Sequence, residues 1–193
     1  MGFILAGGQS SRMGADKAFL NFGGCTLLER AIAALGRVCD VAIVGDPAKF
    51  SPYGNVIEDA YPGRGPLAGI HAALTHSSAE LNLVLAVDMP LVSTDLLAFL
   101  FASAESTDAL VTVPHSARRF QPLCAVYRRP FAIVAEQALK AGQNKIDTLF
   151  AAIPVRVIKS EELASAGFSD QVFLNLNTPE DLQTKWPGSD QTK

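Results

Sequence analysis

Short, uninterrupted apolar runs alternate with helix-period stretches through the first half of the chain. Phe3-Ile4-Leu5, Val41-Ala42-Ile43-Val44, Asn55-Val56-Ile57-Glu58 and Leu83-Val84-Leu85-Ala86-Val87 have the length and composition of buried strands. Between the first two, Leu27, Leu28, Ala31, Ile32 and Leu35 recur at helical spacing, with Gly36 at the natural stop. Gly63-Arg64-Gly65 then turns into a second helix, in which Pro66 suits the first turn and Leu67, Ile70 and Leu74 share a face. Thr94 predicts the cap of a third helix running through Leu97 and Leu100. Strands apolar throughout, separated by helices, predict a parallel sheet covered on both faces, a three-layer α/β/α arrangement.

The second half is less regular. Ala109 to Val113 and Pro122 to Tyr127 read as strands around a polar loop, His115-Ser116-Ala117-Arg118-Arg119. A helix from Pro130 to Ala141, a short helix from Asp147, and strands at Val155–Ile158 and Val172–Leu174 follow. A last helix is predicted at Asn177-Thr178-Pro179-Glu180-Asp181, where Thr178 caps and the acids face the positive end of the dipole. With no repeat or linker, residues 1–186 are expected to form one domain and 187–193 a frayed tail.

Composition narrows the class. The 193 residues are 49% hydrophobic and 18% charged with a net charge of −3, a globular pattern without the basic blocks that nucleic acid requires. An acidic protein that takes a polyanionic ligand needs local cations or a metal to hold it. Cys25, Cys39 and Cys124 form no Cys-x-x-Cys pair and predict reduced thiols in a cytoplasmic protein. The N-terminus lacks the pattern of a signal peptide, and no run approaches the ~20 apolar residues that span a bilayer.

Candidate chemistry concentrates after the first strand, at Leu5-Ala6-Gly7-Gly8-Gln9-Ser10-Ser11-Arg12-Met13-Gly14-Ala15-Asp16-Lys17. Adjacent glycines let backbone approach a ligand closely, and Arg12 and Lys17 can neutralise phosphate charge. The spacing matches neither the dinucleotide Gly-x-Gly-x-x-Gly motif nor a P-loop. Ligands of open α/β sheets gather outside the carboxyl ends of strands, where Gly7-Gly8, Asp59 and Asp88 all fall. Asp88 ends an otherwise apolar strand and suits Mg²⁺, which takes one or two carboxylates together with phosphate oxygens and water; turn capping is the competing role. His71 and His76, five residues apart, do not share a helical face and make no metal pair. Neither a Ser-His-Asp arrangement nor His-Glu-x-x-His supports hydrolase chemistry.

Leu5-Ala6-Gly7-Gly8 with Ser10, Arg12-Met13-Gly14 and Asp16-Lys17 resembles the signature of nucleotidyltransferases that activate sugars and cofactors. Gly65-Pro66-Leu67-Ala68-Gly69-Ile70, Val87-Asp88-Met89-Pro90, Gln121-Pro122-Leu123-Cys124-Ala125-Val126-Tyr127 and Asn175-Leu176-Asn177-Thr178-Pro179-Glu180-Asp181-Leu182 narrow the resemblance to the molybdenum cofactor guanylyltransferase family. The resemblance implies a Rossmann-like nucleotidyltransferase fold with a mostly parallel sheet. The implied reaction joins GMP from GTP to molybdenum-molybdopterin and releases pyrophosphate. Leu5, Ala6, Gly7 and Gly8 would contact GTP, with Lys17 on its phosphates, Asp59 on the nucleoside, and Pro66 and Leu67 on the guanine side. Asp88 would bind nucleotide and Mg²⁺, Arg12, Lys17 and Asp88 would carry the chemistry, and Asn175 and Asn177 would lie on the molybdopterin side. Transient contact with cofactor-delivery proteins or recipient molybdoenzymes is implied as well. A cytidylyltransferase, another small-molecule nucleotidyltransferase, and a non-catalytic nucleotide or cofactor carrier are the alternatives that the residues leave open.

Overall fold

The structure, a computed structural model, describes residues 1–7 and 16–176. Gly8, Arg12, Asn177, the helix expected from Asn177 and the 187–193 tail lie outside the described residues. One eight-stranded sheet organises the rest, in the order β10-β7-β9-β6-β1-β4-β5, with β8 paired to β7. Its strands are β1 (Gly2–Leu5), β4 (Val41–Val44), β5 (Val56–Ile57), β6 (Leu81–Ala86), β7 (Val111–Ser116), β8 (Arg119–Phe120), β9 (Cys124–Arg128) and β10 (Val155–Lys159). A separate small hairpin pairs β2 (Asn21–Phe22) with β3 (Cys25–Thr26). β5, β4, β1 and β6 run parallel, and β10 is parallel to β7. β9 runs against both β6 and β7, so β6 and β7 end at the same edge of the sheet.

The period-two rule divides the strands cleanly between two cores. Ile4, Ile43, Leu83, Leu85 and Val126 pack on one face with residues of α1 (Leu27–Leu35), α4 (Thr94–Glu105) and α6 (Ser160–Ser165). Phe3, Leu5, Val44, Val84 and Tyr127 pack on the other with α3 (Pro66–His76) and α5 (Phe131–Lys140). The three-layer expectation therefore holds. α1 begins in a capping box, Thr26 Oγ1 accepting from Glu29 N while the Glu29 carboxylate accepts from Thr26 N. The short helix α2 (Pro47–Phe50) starts at Asp46, whose Oδ1 accepts from Ala48 N at 2.9 Å.

Several expectations are corrected. Ser93, not Thr94, caps α4: its Oγ accepts from Leu96 N, while the Thr94 hydroxyl donates to Ala34 O. The segment expected as a strand at Val172–Leu174 enters a 3-10 helix at Asp170–Phe173, and among the described residues no strand pairs with it. The 115–119 segment is a tight β7–β8 hairpin rather than an open loop, with Ala117 (φ 50°) and Arg118 (φ 65°) in the left-handed region at its tip. The strand around Asn55–Glu58 contracts to Val56–Ile57. The helix from Asp147 is a 3-10 helix, Ile146–Ala152. All three cysteines are free, and burial pushes the Cys124 thiol up to about 12. Among the described residues no helix is long and apolar enough to cross a membrane.

Candidate active site

The carboxyl ends of β1, β4, β5 and β6 open onto a cleft of about 760 Å³, a volume suited to a small-molecule ligand. Each strand delivers its next residues to the wall: Ala6-Gly7, Gly45-Asp46, Asp59 and Val87-Asp88. Asp16 and Lys17 enter from the segment after β1, and Leu123 closes the cleft from the start of β9.

Two glycines have specific reasons to be there. Gly65, at the N-cap of α3, has φ 75°, a conformation that admits Pro66 at the first helical position without side-chain strain. No side chain caps that helix start, so its positive dipole end faces the cleft through Gly65 and Pro66. Gly45 lies against the Phe50 ring, where a Cβ would come within 2.8 Å. Any larger residue would push α2 away from the end of β4.

Asp88 is the electrostatic centre. The carboxylate is mostly buried, and Lys17 Nζ lies 3.8 Å from Oδ2. Oδ1 is buried without a hydrogen-bond partner. Burial raises the Asp88 carboxyl above its ordinary value, and Lys17 partly offsets that rise. The local backbone is held firmly: Val87 N donates to Leu5 O, Ala86 N to Leu123 O, and Met89 N to Ala86 O. Asp59 offers one oxygen to Tyr61 N at 2.7 Å and presents the carboxylate to the cleft.

The amides of Ala6 and Gly7 both donate to Val44 O, at 3.0 and 3.1 Å. The amides of these two residues are therefore committed to β4, and what they offer a ligand is close backbone approach. Asn175 comes from far along the chain and sits against the same centre. Leu176 N donates to Asp88 O at 2.8 Å, and Asn175 Oδ1 is a second buried oxygen without a partner.

Of the residues expected in the site, Leu5, Ala6, Gly7, Lys17, Asp59, Pro66 and Asp88 share the cleft, and Asn175 is tied beside it. Leu67 is fully buried in the core and absent from the wall. Asp16, Asp46 and Leu123 were not expected. Gly45-Asp46 follows a strand just as Asp59 and Asp88 do, so the strand-end rule applied to β4 would have found it. The contributions of Leu123 and Asp16 depend on register and packing that no local pattern encodes.

The divalent-cation expectation is consistent with these groups. Among the described residues no three or more His, Cys, Asp or Glu side chains cluster as a metal cage. An oxygen-only carboxylate with one unpaired oxygen is nonetheless the donor that Mg²⁺ takes when phosphate oxygens and water complete its shell.

Comparison with known proteins agrees with this geometry. The structure superimposes on molybdopterin-guanine dinucleotide biosynthesis protein A from Archaeoglobus fulgidus with a TM-score of 0.82 and 29% identity, covering 94% of each chain. It also matches 2-C-methyl-D-erythritol 4-phosphate cytidylyltransferase from Thermus thermophilus at a TM-score of 0.68 and 21% identity, over 93% of this chain and 94% of that one, a likeness of fold. The fold is thus the one shared with the nucleotidyltransferases. Residues 2–157 match the MobA-like NTP transferase domain, and the chain belongs to that family. A protein of Clostridium perfringens described as a probable molybdenum cofactor guanylyltransferase is 34% identical over 185 residues, covering 93% of this chain and 92% of its own. A protein of Natronomonas pharaonis with the same description is 36% identical over 195 residues, covering 94% of each.

Proposed function

We propose that this enzyme transfers GMP from GTP to molybdenum-molybdopterin, releasing pyrophosphate and forming the molybdopterin guanine dinucleotide cofactor. One observation carries the reading: a buried carboxylate with an unpaired oxygen, Asp88, opposes Lys17 in a glycine-walled cleft at the carboxyl end of a parallel sheet. The names of the relatives supply the acceptor.

The chemistry needs no protein nucleophile. A terminal phosphate oxygen of the acceptor attacks the α-phosphorus of GTP. The bond from that phosphorus to the bridging oxygen breaks, and pyrophosphate departs with the electron pair. The acceptor oxygen is already anionic near neutral pH, so no strong general base is required. The difficulty is bringing two anions together, and the protein's task is positioning and charge neutralisation. Lys17, with Arg12, stabilises the β- and γ-phosphates as they leave. Asp88 would hold Mg²⁺, which would supply Lewis-acid polarisation of the α-phosphoryl group. Asn175, tied to Asp88 through the Leu176 amide, orients the acceptor.

Two carboxylates, Asp46 and Asp59, line the cleft wall beside the ends of β4 and β5. Guanine presents two adjacent N–H donors and meets such a wall better than cytosine does. The free cysteines favour a reducing compartment, the cytoplasm. Thermal unfolding with GTP, CTP, ATP or UTP, each with Mg²⁺, tests the nucleotide assignment. GTP at a hundred times its dissociation constant should stabilise by about 2.7 kcal/mol and raise Tm by about 5–10 °C. Equal shifts with all four nucleotides would overturn the guanine assignment.

A further inference from the structure

Lys17 stands on a 3-10 helix of three residues, Lys17–Phe19, a length that does not hold its own geometry in water. The Lys17 side chain reaches Asp88, and the turn that carries it is held from elsewhere. Asp16, immediately before it, uses both carboxylate oxygens. Oδ1 accepts from Ala18 N at 3.2 Å and caps the turn, while Oδ2 accepts from Lys49 Nζ at 3.0 Å. Lys49 belongs to α2, 33 residues further along the chain. Ala18 is fully buried. Phe19 leaves the turn on the outer side, with its ring centroid 5.7 Å from Phe50 and 5.7 Å from Tyr53. Phe19 and Tyr53 are two of the few large hydrophobic side chains exposed among the described residues, and they spend that exposure on each other.

We propose that the Asp16–Lys49 ion pair and the Phe19–Phe50–Tyr53 ring cluster form a clasp in which Lys49 and Phe19 are positioning residues for Lys17, aligning it with the triphosphate of GTP. The clasp deepens the reading of Lys17 as a phosphate-binding residue and rests on it. Neither Lys49 nor Phe19 lines the cleft. Both grip the turn from behind, where α2 is itself fixed at the end of β4 by the close approach of Phe50 to Gly45. Placing the ammonium before the ligand arrives lowers the ordering cost that GTP must otherwise meet on binding.

Four substitutions, with Lys17→Ala as the background of a mutant cycle, test this. Lys49→Met keeps the aliphatic stem and removes the charge; it should raise KM for GTP about two- to five-fold, the range open to an exposed ion pair, with kcat and the acceptor's KM unchanged. Lys49→Arg should restore the wild-type KM. In a Lys17→Ala background, Lys49→Met should add nothing to the GTP dissociation constant measured by calorimetry. Phe19→Leu, which keeps an apolar contact in place of the ring, should follow the same pattern, with Tm monitoring the fold. An unchanged KM in Lys49→Met, or the same loss in both backgrounds, would overturn the clasp while leaving Lys17 in place. If Lys17→Ala itself leaves GTP affinity unchanged, the phosphate role of Lys17 fails and takes the clasp with it. The two failures are therefore distinct.

Discussion

Two side chains at opposite ends of β6, Asn82 and Asp88, differ in how their buried oxygens are satisfied. At the amino end of β6, Asn82 is fully buried: Ser77 Oγ donates to its Oδ1 at 2.5 Å, and its Nδ2 donates to Ala79 O at 3.1 Å and to Tyr127 O at 3.4 Å. Nearby, the Met1 ammonium donates to Leu81 O, and Arg128 bridges Glu80 with the Ala104 and Thr107 carbonyls at the end of α4. At the carboxyl end of the same strand, Asp88 Oδ1 and Asn175 Oδ1 are equally buried and have no partner. A buried acceptor without a partner costs stability, so the contrast between the Asn82 and Asp88 oxygens separates a structural side chain from one open to a ligand, while Arg128 Nε and Thr112 Oγ1 are unpartnered at the amino end as well. Groups on the amino edge hold the fold together. Those on the carboxyl edge are held in readiness by backbone bonds that leave their oxygens open.

The comparison can be broken from either side. The largest effect falls on the open edge: Asp88→Ala should lower turnover about 10²–10³-fold in a pyrophosphate-release assay, with circular dichroism unchanged. Full activity of that variant in Mg²⁺ would end the metal assignment. Lys17→Ala should weaken GTP binding about ten- to a hundred-fold by calorimetry, the cost of losing a charge-assisted contact. On the closed edge, Asn82→Ala should cost about 1–3 kcal/mol in denaturant unfolding, with activity per folded molecule unchanged. A loss of activity larger than the loss of folded protein would show that the amino edge also serves catalysis.

The smallest effect sharpens the contrast through pH. Burial raises the Asp88 carboxyl, so between the unfolded and folded values the native state binds more protons than the unfolded state. Stability contributed by this group therefore falls as pH rises through that window, and the ionised carboxylate is a burden at neutral pH. Asp88→Asn should be at least as stable as wild type near neutrality, with its advantage shrinking as pH falls through the folded value. A variant less stable than wild type at neutral pH would mean that the Lys17 contact outweighs burial.

The legible parts of the molecule were those with short-range causes. Apolar runs located β1, β4 and β6, and helical spacing located α1, α3 and α5, because period and burial are local properties. Strand-end chemistry at Gly7, Asp59 and Asp88 followed from the parallel topology. What failed depended on distant partners. Nothing within Val172–Leu174 says that no described strand pairs with it, and Val172 and Phe173 pack without a ladder. Ala117 and Arg118 are unusual choices for a left-handed turn, so the β7–β8 hairpin carried no turn signature. Leu67 shares its motif with Pro66, but its side chain, about 100° further round the helix, is buried in the core. The bond between the Leu176 amide and Asp88, which brings Asn175 to the site, spans nearly half the chain and has no local trace.

The central claim is transfer of a nucleotidyl group at the Asp88–Lys17 centre. The most direct measurement incubates the protein with molybdenum-molybdopterin, Mg²⁺ and GTP labelled at either the α- or the γ-phosphate. The account predicts that α-label enters the cofactor product while γ-label leaves in pyrophosphate, and that Asp88→Ala abolishes both movements. Retention of the α-label in free nucleotide with wild-type protein, or release of inorganic phosphate in place of pyrophosphate, would contradict it.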